Sequence, residues 1–217
     1  MYVPAHFAVN EIEQLLAFVA MHPLATLVVH DTSGLAADHI PLLYLPEQPN
    51  CPACFVGHIA KANPLCPKAE NGIECLAVFH GAQRYISPNW YATKKDHGRA
   101  VPTWNYEAVH VSGKLNVIND RQRLRQILEL LTLRHETSQS SPWTMSDAPE
   151  EYIEGLFRSI VGIELSINSM LGKSKLSQNQ PDENRRSIVE SLNESNDSQD
   201  KKMAKAIDQR KTWVEKI

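Results

Sequence analysis

The residues best suited to ligand chemistry lie between Arg84 and Tyr106. This stretch of 23 residues holds five of the chain's ten Trp and Tyr residues, together with hydroxyls, amides, two prolines and two lysines. Aromatic rings offer flat apolar surface with a polar edge, and a pocket for a planar ligand is mostly apolar with a few placed polar groups. The composition therefore predicts either a site for a planar, hydrogen-bonding ligand or an aromatic minor core around two turns.

Two other segments carry lysines beside polar side chains. In His58-Ile-Ala-Lys61-Ala-Asn63-Pro64, a lysine follows a short predicted strand and precedes turn amides, which suits an anion such as phosphate. Residues 170–180 hold two lysines and a run of amides and hydroxyls. They favour either a plain loop or a second polar wall of a site, because a barrel could bring both segments towards residues 84–106.

Four cysteines are too few for a disulfide scaffold in a chain of 217 residues. Cys51 and Cys54 have the Cys-x-x-Cys spacing of redox and zinc sites, and a zinc site completed by Cys66 or His58 is one interpretation. Because the pair lies in a loop outside any βαβ unit, we favour ordinary reduced thiols and assign no metal ligand.

Several enzyme classes lack the residues that they require. The chain contains no Gly-x-Ser-x-Gly elbow and no His-Glu-x-x-His helix, and its nine histidines are scattered. Most carboxylates lie in predicted helices and in the C-terminal tail, so no pair is placed for general acid–base catalysis. What remains is a polar and aromatic pocket with Lys61 as the candidate phosphate ligand, which leaves open whether the chain is an enzyme.

Composition narrows the class of protein further. Hydrophobic residues make up 42% of the chain, which is ordinary for a globular protein, and the formal net charge of -3 argues against a large basic surface for nucleic acid. Residues 182–217 carry eight acidic and eight basic side chains. No apolar run approaches the roughly 20 residues that span a bilayer, and charges interrupt the first 30 residues. We therefore expect a cytoplasmic protein without a membrane segment.

Hydrophobic periodicity predicts mainly β structure with flanking helices, and short antiparallel strands at this spacing favour a barrel. Pro41 inside a strand favours a sheet edge or a bulge. The predicted helices cover residues 10–21, 119–136 with Asn119 as N-cap, a segment starting at Pro149, 184–193 and 200–216. The predicted strands cover 24–30, 35–45, 55–59, 74–80, 109–118 and 163–168, and 92–100 is predicted to be a mobile loop.

Motifs of a known family occur in order along the chain. They are Met1–Phe7, Pro23–Leu27 with Ala37–Pro41, Gly57–Pro64, Tyr85–Tyr91, Val101–Tyr106 with Val109-His110, Pro142-Trp143, Ile160–Gly162 and Gly172–Asn179. Each motif is modest alone, but the order is specific. The chain resembles the PaiB-like family, described as FMN-binding negative transcriptional regulators with the split β-barrel flavin-binding fold of pyridoxamine-phosphate oxidases.

The resemblance implies a split-barrel FMN-binding domain over residues 1–180, including inserted helices 119–158, and a C-terminal helical extension over 181–217. It also implies a homodimer with the flavin at the subunit interface, where Lys61 and its turn meet the phosphate. The residues that it assigns to cofactor binding are Thr26, His39, Ile40, Pro41, His58, Lys61, Ser87, Trp90, Thr103, Trp104, Asn105, Lys173, Gln178 and Asn179.

Three functions stay open at this stage. The first is an FMN-binding negative transcriptional regulator or sensor, and the second is a flavin-dependent oxidoreductase in which the cofactor supplies the redox chemistry. The third is a haem-binding protein with His39, His58 or His110 as axial ligand. A neutral tail and a net charge of -3 disfavour direct DNA binding. Tyr85 and Tyr91 are the rings that we least expect to contact a ligand.

Overall fold

The structure is a computed structural model that describes residues 1–49 and 51–214, with side chains described up to residue 209. Residues 215–216 at the end of the last predicted helix lie outside the described residues. The helices are α1 Ile12–Met21, α2 Leu65–Ala69, α3 Lys94–His97, α4 Arg121–Glu136, α5 Glu150–Phe157, α6 Asp182–Glu194 and α7 Ser198–Val214. The strands are β1 Ala8–Val9, β2 Leu24–Asp31, β3 Gly34–Pro41, β4 Leu43–Leu45, β5 Cys54–Ala60, β6 Ile73–Ile86, β7 Thr103–Ile118 and β8 Ile160–Lys175. No helix among these residues is long and apolar enough to cross a membrane.

The predicted class, mainly β with flanking helices, is confirmed, but several strands are longer than the sequence pattern indicated. The aromatic stretch is not a loop at its ends, because β6 continues to Ile86 and β7 already begins at Thr103. The final strand runs on to Lys175, into the segment that was predicted to be polar loop. The mobile loop predicted over residues 92–100 contains the short helix α3.

Capping explains where two elements begin. The N-cap of α4 is Asp120, whose carboxylate accepts a hydrogen bond from the Arg123 N–H, so the prediction of Asn119 as the cap was wrong by one residue. Between β2 and β3, the Asp31 carboxylate accepts from the backbone and hydroxyl of Ser33. These bonds, followed by Lys68, lower the pKa of Asp31 to about 2. They fix the hairpin that holds the β3 register.

In the described part of the chain, the strands follow the order β3-β2-β6-β7-β8-β5-β4, and β1 pairs with β8. Strand β2 pairs antiparallel with β3 and β6, and β5 pairs antiparallel with β4 and β8. Strand β3, which contains Pro41, lies at one end of this order. The predicted edge position is therefore confirmed, and it agrees with the missing N–H of proline.

The chain divides into two compact units. We call Met1–Phe18, His80–Val109 and Leu171–Ile217 the terminal unit, and Val19–Phe79 with His110–Met170 the central unit. The central unit buries an apolar core whose fully enclosed side chains include Leu27, Phe55, Phe79, Leu115, Ile127, Ile163 and Leu165. Inside it β7 and β8 approach so closely that a side chain at Gly113 would collide with the Ser166 carbonyl.

The terminal unit has its own apolar cluster, formed by Ile86, Tyr91, Leu176, Ile188, Leu192, Met203, Ala204 and Ile207. Helices α6 and α7 supply five of these side chains, so their amphipathic faces are covered. Arg84 on β6 forms ion pairs with Asp197 and with the buried Asp200, which fixes the start of α7. The predicted domain boundary near residue 180 stays a prediction.

Candidate functional site

The central unit brings Thr26 and His39 together across the β2–β3 hairpin. The two residues are direct partners in the antiparallel register, and the Thr26 Oγ1 and His39 Nδ1 atoms are 3.1 Å apart, within hydrogen-bonding distance. Ile40 is buried, whereas Pro41 is exposed. Because side chains alternate between the two faces of a strand, Thr26 and His39 lie on the outer face while Ile40 packs in the core on the other. The outer face thus offers a hydroxyl and an imidazole side by side.

Strand β5 places His58 close to the same strand end. A side chain on the preceding Gly57 would meet the Pro41 carbonyl at 2.9 Å, so β5 approaches β3 closely here. His58 is half-buried, and burial lowers the pKa of its imidazole. Because the ring is then neutral at neutral pH, it can both donate and accept a hydrogen bond.

Lys61 follows β5 and is exposed. Its backbone N–H donates to the Ser159 carbonyl at 2.8 Å, which holds the turn, and within the described residues its ammonium group takes part in no ion pair. Two residues later, the Asn63 side chain accepts from the Leu65 N–H at 2.8 Å and donates to the Asp38 carboxylate at 3.2 Å. The turn thus presents one free cation on a fixed backbone.

The terminal unit contains a cavity of about 570 Å³, a size within the range of small-molecule sites. It lies where β7 begins and β8 ends, between the segment around α3 and the start of α6. Of the predicted cofactor-binding residues, Thr103, Asn105 and Asn179 line it. Its wall also contains three basic residues, His97, Arg99 and Lys175, and no Asp or Glu.

Lys175 is the half-buried cation of this cavity. Its Nζ atom donates to the Thr103 hydroxyl at 2.5 Å, and in the described part of the chain it forms no salt bridge. Burial lowers the pKa of Lys175, Tyr106 raises it, and Lys173 lowers it further. Sequence reasoning missed this residue, although its alternation with Lys173 in an extended segment was a usable signal.

Buried amides fix the cavity wall. Asn105 is fully buried and donates to the Ser177 hydroxyl at 2.9 Å. Ser177 has a φ of 59°, and among the described residues no other non-glycine residue has a positive φ. Asn184 is also buried, and its amide exchanges hydrogen bonds with Thr93. Strained backbone of this kind costs of order 1–3 kcal/mol and occurs preferentially at functional sites.

The other predicted residues of the terminal unit make structural contacts. Ser87 caps the turn Pro88–Trp90, and Trp90 packs on the apolar cluster. Lys173 lies over the Tyr106 ring at 5.1 Å and donates to the Tyr2 carbonyl. The Gln178 amide donates to the His6 and Ser174 carbonyls and accepts from the Leu176 N–H. Their assignment to cofactor binding stays a prediction.

Aromatic residues of the 84–106 stretch divide between surface and core. Trp104 is 49% exposed and stacks edge-on with Tyr85, with ring centroids 6.4 Å apart. Tyr91 is buried in the apolar cluster and also lines the cavity. Both interpretations of the stretch therefore apply to part of it, because some rings pack the core and others remain accessible.

The cysteines are unpaired thiols, three of them buried and Cys51 half-buried. Burial raises the pKa of both Cys54 and Cys75 to about 12, so these thiols stay protonated. Among the described residues, no group of three or more His, Cys, Asp or Glu side chains is arranged to hold a metal ion.

Comparison with known proteins gives relatives of nearly the same length. The chain is 27% identical over 208 residues to the "Protease synthase and sporulation protein PAI 2" of Bacillus subtilis, covering 96% of this chain and 97% of that protein. It is 34% identical over 212 residues to the "Uncharacterized protein AN0679" of Emericella nidulans, covering 82% and 84%. The FAD and Heme binding protein from Mycobacterium smegmatis has the same fold, with a TM-score of 0.56 at 15% identity, covering 84% and 79%.

These findings confirm the predicted split-barrel fold class and the resemblance on which the cofactor prediction rests. Among the described residues the central unit presents Lys61 without an ion pair and the Thr26–His39 pair on an exposed strand face, and the assignment of these residues to the cofactor stays a prediction. FMN is the cofactor that the family description assigns to the chain. The model of the family described as "Putative FMN-binding domain" matches residues 1–169, and the chain therefore belongs to that family.

Proposed function

We propose that this chain binds FMN and acts as a negative transcriptional regulator or sensor. The observation that carries FMN binding is the Lys61 turn, whose cation takes part in no ion pair among the described residues and whose Asn63 side chain donates to Asp38, the residue before His39. The name of the Bacillus subtilis relative refers to protease synthesis and sporulation, which supports a role in control of gene expression. Bound FMN would give such a sensor a redox-active or ligand-responsive group.

In this proposal each side chain has a task that its environment permits. Lys61 neutralises the phosphate, and its exposure means that no acidic partner must first be displaced. Thr26 and the neutral His58 offer hydrogen bonds to the edge of the isoalloxazine ring, while Ile40 anchors the strand in the core behind them. The homodimer implied by the resemblance is part of the proposal.

Regulation would act through a protein partner or a metabolite rather than by direct reading of DNA. Proteins that bind the DNA backbone need an excess of Lys and Arg, whereas this chain has a formal net charge of -3. We therefore expect the purified protein not to shift a DNA fragment on its own.

The test is a titration of the full chain with FMN, followed by visible absorption and quenching of flavin fluorescence. We expect saturable binding with one FMN per chain and a dimeric mass by light scattering. Replacing Lys61 with Met removes the charged phosphate contact and should weaken FMN binding at least roughly tenfold. The matched control is Lys95→Met, which removes an exposed lysine of α3. Failure of the wild-type chain to retain FMN at micromolar concentration overturns the proposal.

A flavin-dependent oxidoreductase is the second candidate, and the cavity in the terminal unit favours it. A volume of about 570 Å³ provides room for a second molecule. Reduction of bound flavin by NADH or NADPH, with repeated turnover in air, would support this candidate over the regulator. A Soret band in the protein as isolated would instead support the haem alternative with an axial histidine.

A further inference from the structure

The residues that line the cavity of the terminal unit include cations but no carboxylate that would neutralise them. Its lining includes Lys175, Arg99 and His97. Arg99 is exposed and, in the described residues, forms no ion pair. Cations that line a concave surface without acidic partners create a positive potential, which favours an anionic ligand.

Lys175 is the cation for which the lack of an acidic partner matters most, because its ammonium group is partly withdrawn from water. Its ammonium group is half-buried, with one hydrogen bond to the neutral Thr103 hydroxyl at 2.5 Å. None of the residues that line the cavity around it is an Asp or Glu, and Lys173, the other lysine of this strand end, repels its charge. A buried cation is normally paired, so an anion from outside would supply the missing partner.

The neutral part of the wall is built to stay in one shape. The hydrogen bonds between Asn105 and Ser177 hold Ser177 at its positive φ. The hydrogen bonds between Thr93 and Asn184 connect the residue before α3 to helix α6. Phe7 and Tyr91 add apolar surface. A preformed cavity with one half-buried cation, several amides and apolar rings matches a small ligand that has an acidic group and a flat apolar body.

We infer that the cavity lined by Lys175, Arg99, Thr103 and Asn105 is a binding site for a small organic anion, a carboxylate or phosphate monoester carrying a planar ring. The anion forms a charge-assisted hydrogen bond with the Lys175 Nζ atom. This ligand is a second molecule besides FMN, so Thr103, Asn105 and Asn179 would contact it in place of the cofactor to which the resemblance assigns them. It serves the protein either as effector or as substrate. The inference stands on the cavity itself and does not depend on flavin binding.

The experiment measures binding of three probes to the full chain by calorimetry, with and without FMN. Benzoate and phenyl phosphate carry the two acidic groups on the same ring, and benzamide is the neutral counterpart of benzoate. We expect at least one anion to bind roughly tenfold more tightly than benzamide, the typical effect of a charge-assisted hydrogen bond. Which anion binds better distinguishes a carboxylate ligand from a phosphate ligand.

Variants then locate the site. Lys175→Met should weaken binding of the preferred anion roughly tenfold, whereas Lys175→Arg should retain most of it and Lys95→Met should change nothing. Lys175→Gln, which keeps a donor for Thr103, is the second neutral variant if the Met variant does not fold.

Two results would overturn the inference. One is benzamide binding as tight as that of both benzoate and phenyl phosphate, or anion binding that Lys175→Met and Lys175→Gln leave unchanged. The other is a loss of FMN affinity in Lys175→Met as large as in Lys61→Met, because the cavity cation would then belong to the FMN phosphate. That second result would leave FMN binding itself established, and a wild-type chain that binds benzoate but no FMN would refute only the proposed cofactor.

Discussion

Among the residues that the structure describes, neither Lys61 in the central unit nor Lys175 in the terminal unit has an acidic partner, yet their surroundings differ. Lys61 is exposed at the end of a strand, and water solvates it when no ligand is bound. Lys175 is half-buried, hydrogen-bonded to Thr103 and placed in a cavity without carboxylates. Without a ligand, Lys61 therefore does not lower the free energy of unfolding, whereas Lys175 lowers it until an anion binds.

This difference separates two ways of building an anion site. An exposed lysine on a turn contributes charge, and specificity must come from neighbours such as Thr26 and His39. A half-buried lysine within a fixed wall is already oriented, because Asn105 and Ser177 hold the backbone around it. A rigid site of the second kind sacrifices stability for preorganisation.

The largest expected effect concerns the rigidity of the terminal cavity. Asn105→Ala leaves the buried Ser177 hydroxyl without its partner and should lower the free energy of unfolding by about 2 kcal/mol. Urea denaturation measures this loss. The control is Asn193→Ala on the exposed face of α6, for which we expect a change within about 0.5 kcal/mol.

A double variant sharpens the same point. Ser177→Gly removes the second polar partner and places glycine at a φ of 59°, which glycine adopts without strain. Asn105→Ala with Ser177→Gly should therefore cost less than Asn105→Ala alone. If the double variant is less stable than Asn105→Ala, the hydrogen bonds of Asn105 do not serve to offset backbone strain at Ser177.

The second prediction tests the cost of the two lysines directly. Lys175→Met removes a half-buried charge and keeps a chain of similar length, so it should raise the free energy of unfolding by about 1 kcal/mol in the absence of any anion. Lys61→Met should leave it within about 0.5 kcal/mol. Thermal unfolding in a buffer without phosphate or carboxylate measures both, and equal shifts would contradict the comparison between an exposed and a half-buried lysine.

The sequence was sufficient for much of the fold because hydrophobic periodicity reports which face of an element is buried. The alternation in residues 109–118 identified β7, and the spacing of Leu124, Ile127 and Leu131 identified α4. The extension of β7 back to Thr103 was missed although Thr103–Ala108 alternates polar and apolar residues, because burial there does not follow polarity: Asn105 is fully buried and Trp104 is 49% exposed. Pairing with a neighbouring strand, which sequence pattern does not record, makes that segment extended.

The site was harder to predict, for a related reason. Lys61 could be identified locally, since a lysine after a strand and before Asn63-Pro64 is a sequence-level turn signal. Lys175 could not be told from Lys173 in this way, because the two alternate along one strand end and both are half-buried. What distinguishes Lys175 is its place in a cavity wall without carboxylates, formed by residues distant in sequence. Tyr91 was expected to be structural, and its ring does pack on Ile188 and Leu192 in the cluster while also lining the cavity.

The smallest expected effect is a pH dependence that belongs to the central unit. Burial lowers the pKa of His58 below its ordinary value of 6.5, so on acidification the unfolded chain takes up a proton at this residue before the folded chain does. The contribution of His58 to stability is therefore fully present above about pH 6.5 and is lost as the pH falls through the window below it. His58→Gln should make the stability curve flatter between pH 7 and pH 5, measured by urea denaturation at each pH. The control is His30→Gln, which removes an exposed imidazole of the same unit; an equal change of slope in both variants would show that burial of His58 is not its cause. An unchanged slope in His58→Gln would mean that His58 accepts its proton as easily in the folded protein as in the unfolded one, and that its ring is not available as the neutral partner assigned to it beside FMN.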